Sequence, residues 1–306
     1  MLLVVVVAGL SAAAYFHFKG IPTYDAPTVE NIKVEVTPER VAKGQKIAAQ
    51  MCMHCHTGSD NKMSGALVKD IPELFGEIYS MNITNDPEVG IGKWTDGEIA
   101  YFLRTGLRKD GSYAPTYMPK FPLVSDEDLK SIIAWLRSGE PAVQASKEEP
   151  QKSKPSLFTK FLCNVLPAGK PFPYPKEPIA IPDSNNAVAY GKYLATNLYA
   201  CFACHSKSFP TNNELEPEKS EGFFGGGNVM KDLNGNEVKT RNITPDAATG
   251  IGSWTEEQFV TALRTGKTPN GQVKYPMMPY TLLTDLEAKA IYAYLKTVPA
   301  INNKVQ

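Results

Sequence analysis

The sequence predicts a mainly α-helical protein: two tandem copies of one domain behind an N-terminal transmembrane helix. Three observations carry the prediction. The first 18 residues are almost wholly apolar. A long block of sequence recurs 160 positions later. Within each copy, helix-capping signals precede runs whose apolar residues fall three and four apart. On this reading residues 1–26 are the anchor and its flank, and 27–140 the first domain. Residues 141–182 are a linker and 183–306 the second domain.

Only Ser11 and His17 interrupt the apolar run from Met1 to Phe18. At 1.5 Å per residue such a helix is about 27 Å long, close to the hydrocarbon thickness of a bilayer. A packed surface helix would carry a polar stripe, and this one has none. Ala12-Ala13-Ala14 would suit the cleavage site of a leader; the reading adopted is a retained anchor. No cysteine lies in or just after the segment, which excludes a lipid-modified one. No Lys or Arg precedes the run, and Lys19 follows it, so orientation must come from the chemistry downstream.

The repeat begins at Met81 and Arg241. N-I-T-x-D-x-x-x-G-I-G-x-W-T follows in both copies, then Leu103-Arg104-Thr105-Gly106 and Leu263-Arg264-Thr265-Gly266, then Met118-Pro119 and Met278-Pro279. Thr95-x-x-Glu98 and Thr255-x-x-Gln258 are capping boxes, in which hydroxyl and acid or amide satisfy each other's backbone amides. Ile99, Phe102 and Leu103 then share a face, as do Phe259, Ala262 and Leu263, and Gly106 and Gly266 end the helices. Ser125-x-x-Asp128 and Thr284-x-x-Glu287 start the last helix of each copy. An earlier helix runs from Pro38 to Met51 in the first copy, capped by Thr37, and roughly from Asn186 to Ala200 in the second. Between the copies, 141–182 holds nine of the 24 prolines and reads as a semi-extended linker.

Lys+Arg and Asp+Glu are 32 each, so the net charge is zero, which argues against a nucleic-acid partner. The four histidines are His17, His54, His56 and His205, too few for most zinc, copper or His-based acid/base sites. Five cysteines make a poor disulfide framework.

Cys52-Met-His-Cys55-His56 and Cys201-Phe-Ala-Cys204-His205 carry the chemistry. C-x-x-C-H attaches a c-type haem: two thiols three positions apart add to the vinyl groups of one porphyrin, and the next residue offers an imidazole to the iron. A redox dithiol or half a zinc site is the alternative for one C-x-x-C. Two zinc fingers would need more Cys and His than the chain has. Two covalent haems are therefore expected, with His56 and His205 proximal. His54 sits between attachment cysteines and His17 in the membrane segment, so no histidine remains for the sixth position. Among nine methionines, Met118 and Met278 occupy the same place in both copies, 62 and 73 residues after their histidines. They are the expected axial ligands; the repeat alignment chooses Met278 over its neighbour Met277.

These motifs resemble the class I cytochromes c, in the branch of dihaem and trihaem cytochrome subunits that accompany periplasmic alcohol, aldehyde and gluconate dehydrogenases. The resemblance covers about 27–140 and 183–306, not the anchor or linker. It implies two class I cytochrome c domains, covalent haem c, His/Met iron and electron transfer without a substrate of the chain's own. It also implies a location at the inner membrane, with both domains on the periplasmic side. Partners would be membrane or periplasmic redox proteins: a dehydrogenase, a quinol-oxidising complex or a terminal oxidase. The dehydrogenase subunits often have three haems; here there are two motifs.

Lesser candidates remain. Trp94 and Trp254 read as core tryptophans closing a haem pocket, or as donors to a propionate. Arg104 and Arg264 read as propionate partners or as surface charges at a helix C-terminus. Phe223 to Gly227 with Asn234-Gly235 reads as a loop and hairpin peculiar to the second copy. Cys163 reads as a buried free thiol. A dihaem peroxidase needs an open or His-switched haem, which the histidine count disfavours. A haem-based sensor needs a signalling module, and none is visible in the sequence.

Overall fold

Thr37 and Pro38 open the first long helix as the sequence predicts. The Thr37 hydroxyl accepts from Arg40 N at 3.3 Å, and Pro38, lacking an amide hydrogen, sits where none is needed. In the computed structural model, which describes residues 2–165, 169–232, 236–272 and 280–305, the chain divides into two units. One is Met1–Pro122 with Asp128–Lys176; the other is Leu123–Glu127 with Glu177–Gln306.

The first unit contains α1 (Leu2–Lys19), α2 (Pro38–Met51), the short α3 (Met53–His56), α4 (Asp96–Thr105) and most of α5 (Asp126–Leu136). α2 crosses α5 at Gly44, where a Cβ would lie 2.0 Å from the Ser131 carbonyl oxygen. Lys43 meets the fully buried Asp128 carboxylate at 2.5 Å beside this crossing. Ile47, Ile132, Ile133 and Trp135 form its core. The Thr95–Glu98 capping box and left-handed Gly106 bound α4 as predicted.

The proline-rich stretch behaves differently from a linker over most of its length. Its residues up to Lys176 belong to the first unit. Val143 is buried, and Ala142 O accepts from Met63 N at 2.7 Å. β1 (Gly76–Glu77) and β2 (Lys154–Pro155) then pair antiparallel, Gly76 opposite Pro155. Helix α6 (Leu157–Val165) packs beside α1. The physical reason is that extended chain with free amides and carbonyls completes the hydrogen bonds of the loops it passes. Cys163 is a buried free thiol on α6. Among the described residues, no helix is long and apolar enough to cross a membrane.

The second unit repeats the plan with α7 (Ala187–Tyr193), α8 (Cys201–His205), α9 (Glu256–Thr265) and α10 (Asp285–Leu295). α7 crosses α10 at Gly191, where a Cβ would lie 1.8 Å from Ala290 O. The single helix expected over 186–200 is broken. A π-helical turn occupies Leu194–Leu198, and Ala200 adopts φ 44°, in the left-handed region. The cause is length: Cys52 stands eight positions after Gly44, and Cys201 ten positions after Gly191. The wider turn and the left-handed residue absorb the two extra positions. Capping boxes at Thr255–Gln258 and Thr284–Glu287 start α9 and α10. The hairpin peculiar to this copy is β3 (Val229–Lys231) against β4 (Glu237–Lys239); its Asn234-Gly235 turn lies outside the described residues. A two-residue pair, β5 (Lys267–Thr268) and β6 (Gly271–Gln272), follows α9.

Candidate functional site

Cys52 closes α2 and opens the turn α3, its carbonyl accepting from Cys55 N at 3.2 Å and His56 N at 3.0 Å. Cys52, Cys55 and His56 are thus brought together within one helical turn. α8 does the same for Cys201, Cys204 and His205. None of these cysteines is in a disulfide. Burial pushes the Cys52 thiol up to about 12 and Cys55 to about 11, with Cys55 and Asp70 respectively adding to the effect. Burial does the same for Cys201, up to about 12, and Cys204, up to about 11. Burial thus favours the protonated form of these thiols. Among the described residues no group of three or more His, Cys, Asp or Glu is placed to hold a metal ion.

The two histidines are oriented alike. His56 Nδ1 donates to Met81 O at 2.8 Å, and His205 Nδ1 donates to Arg241 O at 2.7 Å. Met81 and Arg241 hold the same place in the repeat. A carbonyl only accepts, so in each ring Nδ1 carries the proton and Nε2 keeps its lone pair. Burial lowers both histidine pKa values, outweighing these hydrogen bonds, and keeps the rings neutral. His54 instead pairs with Asp70 at the surface. Two neutral thiols followed by an imidazole with a free Nε2 fit a covalently attached haem, and the fit occurs twice.

The repeated N-I-T-x-D-x-x-x-G-I-G block builds the support for that carbonyl. Asn82 Oδ1 accepts from Thr84 N at 2.9 Å and Thr84 Oγ1 at 2.7 Å; Asn242 repeats both distances with Thr244. The Asn82 amide donates to Ser146 O and Glu148 O, both at 2.9 Å. Asn242 donates to Ile301 O at 2.6 Å. Each asparagine thereby ties the residue before it, the histidine's partner, to the chain that follows the last helix. Asp86 accepts from Glu88 N and Val89 N, and Asp246 from Ala248 N and Thr249 N. The glycines of G-I-G let backbone approach backbone. A Cβ on Gly90 would lie 2.4 Å from Thr84 O, and one on Gly250 2.2 Å from Thr244 O.

Met118 is half-buried in the loop between α4 and α5, its amide donating to Pro115 O at 3.1 Å. Met278 and its rival Met277 lie outside the described residues. Two residues on, Tyr280 N donates to Leu263 O at 2.9 Å, and its ring meets that of Tyr199 at 5.8 Å. The Tyr280 hydroxyl is pushed upward, first by burial, then by neighbouring Cys201 and Cys204. Tyr280 therefore lies beside the attachment turn.

One expectation needs correction. Arg104 is neither a surface charge nor aimed at the solvent: it is 1% exposed and donates to Phe121 O at 3.4 Å and Pro122 O at 3.2 Å. Arg264 donates to Leu283 O at 2.7 Å and pairs with Asp285 at 2.7 Å. Both arginines tie down the loop after Met-Pro, because that loop's carbonyls have no helix to pair with. Trp94 and Trp254 are half-buried, and Trp94 meets Phe102 edge to face at 5.8 Å. The buried tryptophan is Trp135, on α5. The residues missed in the sequence are those acting through their backbone, Met81 and Arg241, and the asparagines beside them. The signal for them was present: an unbroken repeat of Asn-Ile-Thr at one offset.

Comparison with known proteins agrees with this geometry. Residues 39–136 match the family described as cytochrome C oxidase, cbb3-type, subunit III. The chain is 30% identical over 302 residues to the cytochrome c subunit of the quinone-dependent alcohol dehydrogenase of Gluconacetobacter polyoxogenes, covering 95% of this chain and 61% of that protein. It is 30% identical over 274 residues to the fructose dehydrogenase cytochrome subunit of Gluconobacter japonicus, covering 85% and 53%. A diheme cytochrome c-type protein of Cereibacter sphaeroides is 28% identical over 277 residues, covering 85% and 86%. The chain spans 61% of the length of the alcohol dehydrogenase subunit. Its attachment turns, their oriented histidines and these likenesses make it similar to the cytochrome c subunits of dehydrogenases and to a diheme cytochrome c.

Proposed function

We propose that the chain is a membrane-anchored dihaem cytochrome c that passes electrons between redox partners and has no substrate of its own. The observation that carries this is the twice-built imidazole: His56 and His205, each after a thiol pair, each with Nδ1 tied to an equivalent carbonyl. When bound, each haem supplies a one-electron iron couple. The protein's part is to hold and orient. Cys52 with Cys55, and Cys201 with Cys204, would carry the thioether bonds; His56 and His205 would offer Nε2; Met118 and Met278 would offer sulfur from the opposite side. A methionine in the sixth position raises the potential relative to a second histidine. The loop ties of Arg104 and Arg264 would hold those methionines in place.

The names of the relatives support a dehydrogenase as partner, with a quinol-oxidising complex or terminal oxidase as alternatives. The apolar sequence of α1 supports an anchor in the inner membrane. Haem c attachment supports placing both units on its periplasmic side. The test is haem content of the purified chain: two haems should stay with the polypeptide through acid–acetone extraction. Replacing Cys201 and Cys204 by Ser should leave one. Extractable haem, or one haem in the unaltered chain, would overturn the reading.

A further inference from the structure

Helix α6 wears its apolar side outward. Leu157, Phe158, Phe161 and Val165 are 41, 37, 40 and 51% exposed, whereas Thr159 and Cys163 are 2 and 6% exposed. At 3.6 residues per turn the four exposed residues fall within one arc of about 100°. The polar residues face the protein. Thr159 Oγ1 donates to Phe75 O at 2.7 Å, Lys160 Nζ to His17 O at 3.2 Å, and Asn164 Nδ2 to Gly20 O at 2.9 Å. This is the reverse of a helix that meets water.

The neighbours of α6 say what it meets. It lies against the end of α1: Phe16 and Phe161 pack edge to face with centroids 5.3 Å apart, and the Lys160 and Asn164 bonds grip the last carbonyls of α1 and its cap. Phe18 and Tyr15, on that same end, are 85 and 56% exposed. The chain that carries α6 is basic, although the turn holding Glu73 packs beside the helix and Glu77 pairs with Lys154 at 3.0 Å. Between Pro150 and Glu177 the sequence has Lys152, Lys154, Lys160, Lys170 and Lys176 and no acidic residue, and none precedes Asp25. A protein partner needs no such bias; an anionic lipid surface attracts it.

We infer that α6 is an interfacial helix that lays Leu157, Phe158, Phe161 and Val165 into the anionic leaflet where α1 leaves it. The inference rests on the reading of α1 as an anchor. It makes the bilayer grip the first unit at two places, a crossing helix and a surface helix joined by hydrogen bonds.

The test places a nitroxide on the full haem-loaded chain, in a Cys163→Ser background, at Phe161→Cys, Val7→Cys or Glu257→Cys. Each protein is reconstituted into vesicles of phosphatidylethanolamine and phosphatidylglycerol. Collision rates with oxygen and with a water-soluble nickel chelate are then compared. The labels at 161 and 7 should favour oxygen, the label at 257 the nickel chelate. A label at 7 within the bilayer and one at 161 in water overturns the inference and leaves the anchor standing. Labels at both 7 and 161 in water overturn the anchor and the inference together. A label at 161 that meets the nickel chelate in vesicles but is shielded in native membranes assigns the face to a protein partner and overturns the lipid assignment.

Discussion

A histidine is a ligand only if something decides which nitrogen keeps the proton. For His56 and His205 that decision belongs to the carbonyls of Met81 and Arg241, whose side chains have nothing in common. A methionine as sixth ligand would be less constrained, because a thioether accepts no strong hydrogen bond and would be placed by its loop alone. Met118→Ala and Met278→Ala should each lower one of the two reduction potentials and remove half of a near-infrared sulfur-to-iron band. A variant with both potentials unmoved would show that another residue ligates that iron. The acid limb of stability is set elsewhere. Asp86 accepts from Val89 N and Glu88 N and pairs with Lys147 at 3.0 Å, which holds its pKa down at about 2, below the ordinary 3.8. A carboxylate lowered on folding contributes fully above the unfolded value and loses that contribution as pH falls through the folded one. Asp86→Asn should therefore flatten the fall in stability between about pH 4 and 2. Urea midpoints across that range measure it, and parallel profiles for variant and parent would exclude the role.

The elements explain why some of this could be read in the sequence. Capping boxes, terminal glycines and C-x-x-C-H turns are local, so residue type reports them: Thr95, Thr255, Gly106 and Gly266 all do what their identity implies. The π-helical turn over Leu194–Leu198 was not legible, because its apolar spacing continues that of α7 and only the count back to Gly191 betrays it. The proline-rich stretch misled for a related reason. Composition reports the lack of a core, not the carbonyls of Ser146 and Glu148 that Asn82 requires. Gly44 and Gly191 join the two levels. An exposed helical Gly→Ala change normally stabilises by about 1 kcal/mol. Here the added Cβ would lie 2.0 Å from Ser131 O or 1.8 Å from Ala290 O, so the crossing helices must part. Overpacking of this kind costs about 1–3 kcal/mol, and the sign reverses. Gly44→Ala and Gly191→Ala should each lower the thermal midpoint of the haem-loaded protein; a raised midpoint would mean that the crossing is slack.

Charge acts on the whole molecule. Lys+Arg and Asp+Glu balance at 32 each, and no domain-sized stretch carries a strong excess: 27–140 has 13 basic and 16 acidic residues, 183–306 has 12 of each. The cationic stretch lies in 150–176, around the helix assigned to the lipid surface. Long-range steering of a redox partner needs a sustained field of one sign, which so balanced a chain does not project. Proximity can come instead from the membrane, since two anchored partners meet at a raised effective concentration whatever their charge. Electron transfer to the physiological partner should thus depend weakly on ionic strength for the full chain in vesicles. For a form lacking residues 1–26 the rate should fall overall, because anchored proximity is lost, while its salt slope stays shallow. Second-order rates across a salt series, for both forms, measure this. A steep fall with salt in the anchored form would assign docking to a local charged patch, the acidic run of 70–98 being the first to neutralise, with Asp70, Glu73, Glu77, Asp86, Glu88, Asp96 and Glu98 against the single Lys93.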